Sequence, residues 1–152
     1  MNTSIRTANE GDVENIFSLI SYYAAEGVIL ERGRDDIREN LENFLVAEAD
    51  GKFAGTVTRY DYGETLKEVR SLAVHMDFQG LGIGRALVQK LIADTEPLEG
   101  KRIFTLTYKP GFFARNGFRV VPKDNFPEKI WKDCVNCRDR EKCGETALIY
   151  QG

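Results

Sequence analysis

The sequence has no run of lysine and arginine, no apolar stretch of membrane-spanning length and a single histidine. With no basic stripe and a formal net charge of -3, the chain lacks the phosphate-neutralising surface that nucleic-acid binding depends on. No nucleic-acid partner is therefore expected. A bilayer span needs about 20 consecutive apolar residues, so no membrane partner is expected either. The N-terminal residues Met1-Asn2-Thr3-Ser4-Ile5-Arg6 show no basic patch followed by an apolar run. The expectation is a cytoplasmic protein without a signal peptide. Cysteine is scarce: Cys134, Cys137 and Cys143 form an odd, clustered set. In a cytosolic chain such a set suggests thiols or a metal more than a disulfide framework. Internal repeats and low-complexity segments are lacking too.

What is present is an ordinary globular composition, 42% hydrophobic and 30% charged over 152 residues. That predicts one domain over 1–152 with its own core. Ser4 to Ala8 reads as a strand. A helix follows, with Asp12 as its N-cap, Val13, Ile16, Phe17, Ile20 and Ala24 at helical spacing, and Gly27 at its end. Asp35 and Asp36 open a second helix, with Ile37 and Leu41 on its apolar side. Strands at Phe44 to Glu48 and Phe53 to Tyr60 flank Asp50-Gly51, a hairpin turn. Lys67 to Val74 is a further strand, and Ile83, Ala86, Leu87, Leu91 and Ile92 share a helix face. Arg102 to Thr107 is a strand, a helix runs from Pro110 to an end at Asn116-Gly117, and Phe118 to Val121 and Ala147 to Tyr150 are the last strands. Residues 122–145 are polar, charged and cysteine-bearing, an excursion rather than a second domain. The order β-α-α-β-β-β-α-β-α-β-β predicts a mixed α/β sheet of about six to seven strands flanked by about four helices.

Gly80, Gly82 and Gly84 alternate between a strand and a helix. Without side chains they let the backbone approach a ligand closely. The first amides of the helix lack internal acceptors, and its dipole is positive there. Together these features suit a diphosphate, with Arg85 as a further cation. Read by residue type alone, the loop is equally a turn that packs a helix on a sheet. The dinucleotide fingerprint is not met, since the loop follows the fourth strand, and the P-loop lysine is missing.

The segment Glu68-Val69-Arg70-Ser71-Leu72-Ala73-Val74-His75-Met76-Asp77-Phe78-Gln79-Gly80-Leu81-Gly82-Ile83-Gly84-Arg85-Ala86-Leu87 resembles motif A of the GNAT acetyltransferases. That motif has Gln or Arg, two residues, Gly, one residue, then Gly or Ala, met here by Gln79, Gly82 and Gly84. Phe112-Phe113-Ala114-Arg115-Asn116-Gly117-Phe118 resembles the family's later aromatic helix, and the order of elements agrees along nearly the whole chain. The resemblance implies a GNAT-like fold and acetyl-CoA as cosubstrate. It assigns the backbone of Leu72, Ala73 and Val74 to the acetyl and pantetheine groups, beside a β-bulge. The amides of Gln79, Gly80, Leu81, Gly82, Ile83, Gly84 and Arg85 would hold the pyrophosphate, and the Val74 N–H would meet the acetyl carbonyl.

The implied reaction is direct attack of an amine on a thioester, which requires a deprotonated amine and two substrates held together. Glu68 matches the family's catalytic glutamate by its position six residues before Val74. Read without the resemblance, it is a solvated glutamate near a strand start. Strand alternation puts Glu68, Arg70 and Leu72 on one face. Phe113 stands where relatives carry the tyrosine acid, and is counted with the cofactor contacts. Tyr108 is the candidate substitute acid, or else a rim tyrosine.

Pro127-Glu128-Lys129-Ile130-Trp131-Lys132-Asp133-Cys134, with Cys137 and Cys143 following, is similar to the tail of the short single-domain N-acetylglutamate synthases. This implies an amino-acid substrate, L-glutamate or L-glutamine, at the first step of arginine biosynthesis. Arg70 is the candidate carboxylate clamp and Lys129 a further cation, each otherwise a surface charge. Trp131 reads as an anchor of the excursion. The spacing Cys-x2-Cys-x5-Cys offers three ligands to zinc, with Asp133, Glu145 or His75 as a fourth, or else three reduced thiols. His75 is expected to shape a turn. A homodimer is one reading of the oligomeric state. Two other functions stay open: acetylation of another small amine or a protein N-terminus, and a non-catalytic CoA-binding, thiol-sensing module.

Overall fold

A computed structural model describes residues 2–122 and 146–151. The strands are β1 (Thr3–Thr7), β2 (Phe44–Ala49), β3 (Lys52–Tyr62), β4 (Leu66–Val74), β5 (Arg102–Thr107), β6 (Phe118–Val121) and β7 (Thr146–Tyr150). The helices are α1 (Val13–Ala25), α2 (Arg34–Glu39), α3 (Ile83–Thr95) and α4 (Pro110–Ala114). The strands form one mixed sheet in the order β1-β2-β3-β4-β5-β7-β6, the fold class expected from the element order. By contact density the chain divides into two compact units, Met1–Tyr60 with Val69–Pro97 and Asp61–Glu68 with Leu98–Gly152, so β3 and β4 each contribute residues to both.

In the first unit β1, β2 and β3 pair antiparallel. The β2–β3 turn is as expected: Asp50 and Gly51 are both left-handed, at φ 52° and 81°, the backbone that a two-residue primed turn requires. α1 turns Val13, Ile16, Leu19 and Ile20 inward. With Ala8, Ile37, Phe44 and Val46, all but Leu19 form one core cluster, against which Phe17 is only partly buried. Burying each large aliphatic side chain contributes about 1.5–3 kcal/mol. α1 ends as predicted, with Gly27 left-handed and the Val28 N–H donating to Tyr23 O at 3.1 Å, which satisfies a terminal carbonyl.

Asp12 does not cap α1 as expected. Its carboxylate accepts from Arg6 Nη1 and Nη2 at 2.7 and 2.8 Å and from the Asn9 N–H at 2.8 Å. Asn9 is the capping residue instead, one turn earlier. The forked bond from Arg6 is the larger attraction, so the carboxylate is drawn away from the helix end.

In the second unit β4 pairs parallel with β5, with Leu66 opposite Arg102 and Glu68 opposite Phe104. β7 pairs antiparallel with both β5 and β6. Leu66, Phe104, Val121 and Ala147 are its buried cluster, with Tyr62, Leu106 and Ile149 packed against them.

Candidate functional site

The glycine loop has the backbone that its sequence calls for. Gly80 and Gly82 are left-handed, at φ 78° and 83°, and a Cβ at either would meet open space. Glycine is therefore required here by conformation, and the exposed side of the loop is open to a ligand. Gly84 lies inside the first turn of α3. The first bond of that helix is Ala86 N–H to Gly82 O at 3.0 Å, so the amides of Ile83, Gly84 and Arg85 precede the internal ladder. Gly82 offers no side-chain cap and the first turn carries no acidic residue. The positive end of α3 thus meets no opposite charge from its own cap or first turn. Leu81 is exposed, as are Gln79 and Arg85.

The strand entering this loop is irregular. Ser71 is left-handed at φ 54°, a conformation costing a non-glycine residue about 1–2 kcal/mol. It interrupts the alternation expected to set Glu68, Arg70 and Leu72 on one face, so that face extends no further than Arg70. Beyond it Ala73 is buried, while Leu72 and Val74 are half-buried. Gly55 on β3 allows close approach here, since a Cβ would stand 2.9 Å from Ala73 O. His75 shapes the following turn, as expected, by accepting the Asp77 N–H at Nδ1 (3.1 Å).

Glu68 is not a solvated glutamate: it is 2% exposed. Tyr62 Oη donates to its Oε1 at 3.0 Å. A buried carboxylate without such partners would be costly, so Tyr62 both supports the charge and fixes the carboxylate's direction. Arg70 is half-buried, with its guanidinium stacked 4.3 Å from the Tyr60 ring centroid. The stack holds the plane of the fork. Neither tyrosine was marked as functional in the sequence. A signal for both was present: stepping back two residues on β3, from Tyr62 to Tyr60, matches stepping forward two on β4, from Glu68 to Arg70. That is the cross-strand relation of a hairpin.

Tyr108 follows β5 and is 48% exposed, as an acid serving a leaving group would need to be. Phe113 is 4% exposed and packs edge-on against Phe112 and Phe118 at 5.1 and 5.3 Å between ring centroids. Little of its ring is left for a cofactor. Lys129, Trp131, Cys134, Cys137 and Cys143 lie outside the described residues. Among the described residues no group of three or more His, Cys, Asp and Glu could hold a metal.

Residues 40–120 match the acetyltransferase (GNAT) domain family. An uncharacterized N-acetyltransferase of Chlorobaculum tepidum is 39% identical over 147 residues, 97% of this chain and 95% of that protein. The amino-acid acetyltransferase of Mycobacterium tuberculosis is 35% identical over 120 residues, 77% of this chain and 68% of that protein. Among solved structures, the N-acetylglutamate synthase of Neisseria gonorrhoeae, complexed with coenzyme A and N-acetyl-glutamate, superposes with a TM-score of 0.87 at 27% identity. The alignment covers 99% of this chain, which spans 35% of that one.

Proposed function

The chain belongs to the GNAT acetyltransferase family, and on that footing we propose that it transfers acetyl from acetyl-CoA to the α-amino group of L-glutamate. The observation that carries the acceptor is the likeness, over 99% of this chain, to a synthase bound to coenzyme A and N-acetyl-glutamate.

The residues fit the chemistry. The amides of Ile83, Gly84 and Arg85 at the open end of α3 hold the diphosphate. The Val74 N–H donates to the acetyl carbonyl and to the oxyanion that grows from it. Glu68, oriented by Tyr62, takes the proton of the ammonium directly or through one water, and the free amine attacks the thioester carbon. The C–N bond forms as the C–S bond breaks. The attacking nitrogen then sheds its second proton to solvent, and the thiolate takes one from water or from the exposed Tyr108, which solvent reprotonates. Arg70, its plane held by Tyr60, pairs with a glutamate carboxylate in forked geometry.

The test is acetyl-CoA turnover by the purified protein, followed by thiol release, with glutamate, glutamine, a polyamine and an N-terminal peptide as acceptors. Glutamate-dependent release above the others is expected. Preference for the polyamine or the peptide would overturn the acceptor assignment.

A further inference from the structure

The end of β4 is held from α1 by one side chain. Tyr23 Oη donates to Val74 O at 2.7 Å, across 51 residues of sequence. The same hydroxyl accepts from Gln79 Nε2, which also reaches Val74 O at 3.4 Å. A helix residue, the last residue of the strand and the residue before Gly80 therefore share one hydrogen-bonded set.

Peptide geometry gives this set its meaning. The peptide joining Val74 to His75 is bonded at both ends: its N–H donates to Ala54 O on β3 at 2.8 Å and its C=O accepts from Tyr23. One peptide earlier, Ala73 O faces β3, 2.9 Å from where a Gly55 Cβ would stand. A trans peptide directs its N–H opposite to its C=O, so the Val74 N–H points away from β3. It lies on the same edge as the Val74 carbonyl that Tyr23 holds. Burial pushes the Tyr23 hydroxyl above its ordinary pKa, the hydrogen bond from Gln79 opposing and the charge of Glu26 adding. The hydroxyl remains a neutral donor throughout the physiological range.

We propose that Tyr23 is a positioning residue for the cosubstrate. It ties the direction of the Val74 N–H to the placement of Gln79, so that the acetyl contact and the diphosphate loop are set together by one side chain of α1. This rests on reading the β4 end and the glycine loop as the acetyl-CoA site.

The test is a cycle of Tyr23→Phe, Gln79→Ala and the double variant, with coenzyme A affinity measured by calorimetry, KM for each substrate, and Tm. Losing one net hydrogen bond of this kind is expected to weaken coenzyme A binding by about 3–10-fold. KM for acetyl-CoA should rise in parallel while KM for the acceptor stays within twofold. The double variant should be little worse than either single one, because both remove the same set. Gln79 is exposed, so its variant remains informative if Tyr23→Phe folds poorly. Wild-type affinity in Tyr23→Phe, strictly multiplicative losses, or equal rises in both KM values with a lowered Tm would overturn the proposal. A wild-type protein that binds no coenzyme A would instead remove the site reading beneath it.

Discussion

Glu68 and Arg70 stand two residues apart on β4, and their partners differ in kind, so they should fail differently. Tyr62 hydrogen-bonds Glu68, and the Tyr60 ring stacks on Arg70. Glu68→Gln keeps shape and removes the proposed base. It should lower kcat about 10²–10⁴-fold near neutral pH, and the loss should shrink as pH rises and more amine is already free. A normal kcat at neutral pH would end that assignment. Arg70→Lys replaces a stacked fork with a point charge. KM for glutamate should rise about tenfold or more with KM for acetyl-CoA nearly unchanged, and steady-state kinetics with either substrate varied would reveal the opposite. The family resemblance marked Glu68, and strand alternation set Arg70 on the same face. Tyr62 and Tyr60 emerge only when β3 is paired with β4 as a hairpin, a relation between strands rather than a pattern along either one.

At the level of elements, β4 is shaped by what lies beneath it. A Cβ at Gly55 would come 2.9 Å from Ala73 O, 3.3 Å from Leu87 Cδ1 and 3.4 Å from Val74 Cα. A backbone carbonyl cannot rotate aside as a side-chain end can. Gly55→Ala should therefore cost about 1–3 kcal/mol of stability. It should also weaken acetyl-CoA binding, since Ala73 O and the Val74 N–H share one peptide. Calorimetric affinity and Tm both at wild-type values would show that β4 yields freely. The Asp50-Gly51 turn, the Gly27 helix end and the glycine loop were legible, because each needs a backbone that few residues adopt. Gly55 was not, since its reason is proximity to α3 and β4. The Asp12 cap was misread for a related cause: Arg6 and Asn9 claim its carboxylate first.

For the whole molecule, acid stability should report that same carboxylate. The hydrogen bond from Arg6 holds the Asp12 carboxyl below its ordinary value. A depressed folded-state pKa adds stability above the unfolded value and loses it as pH falls through the folded one. With Arg6 partly exposed, Asp12→Asn should cost on the order of 1–2 kcal/mol at pH 7. The gap to wild type should begin to narrow below about pH 4, near the unfolded value, and close only as pH falls through the lower folded one. Urea unfolding at both pH values measures it, and a gap undiminished at low pH would refute the linkage. Element order along the chain was readable because each strand and helix has a local period. The insertion of β7 between β5 and β6 was not, since pairing Phe104 with Ile149 leaves no local trace.

The left-handed Ser71 divides one strand into two stretches with separate obligations. In the proposed reaction, β4 contributes before it through side chains, Glu68 and Arg70, whose identity matters. After it, in the same proposal, Leu72 to Val74 contribute through main-chain atoms, which almost any residue of suitable bulk supplies. Acceptor preference can therefore drift by substitution in the first stretch while the geometry offered to a common cosubstrate stays fixed in the second.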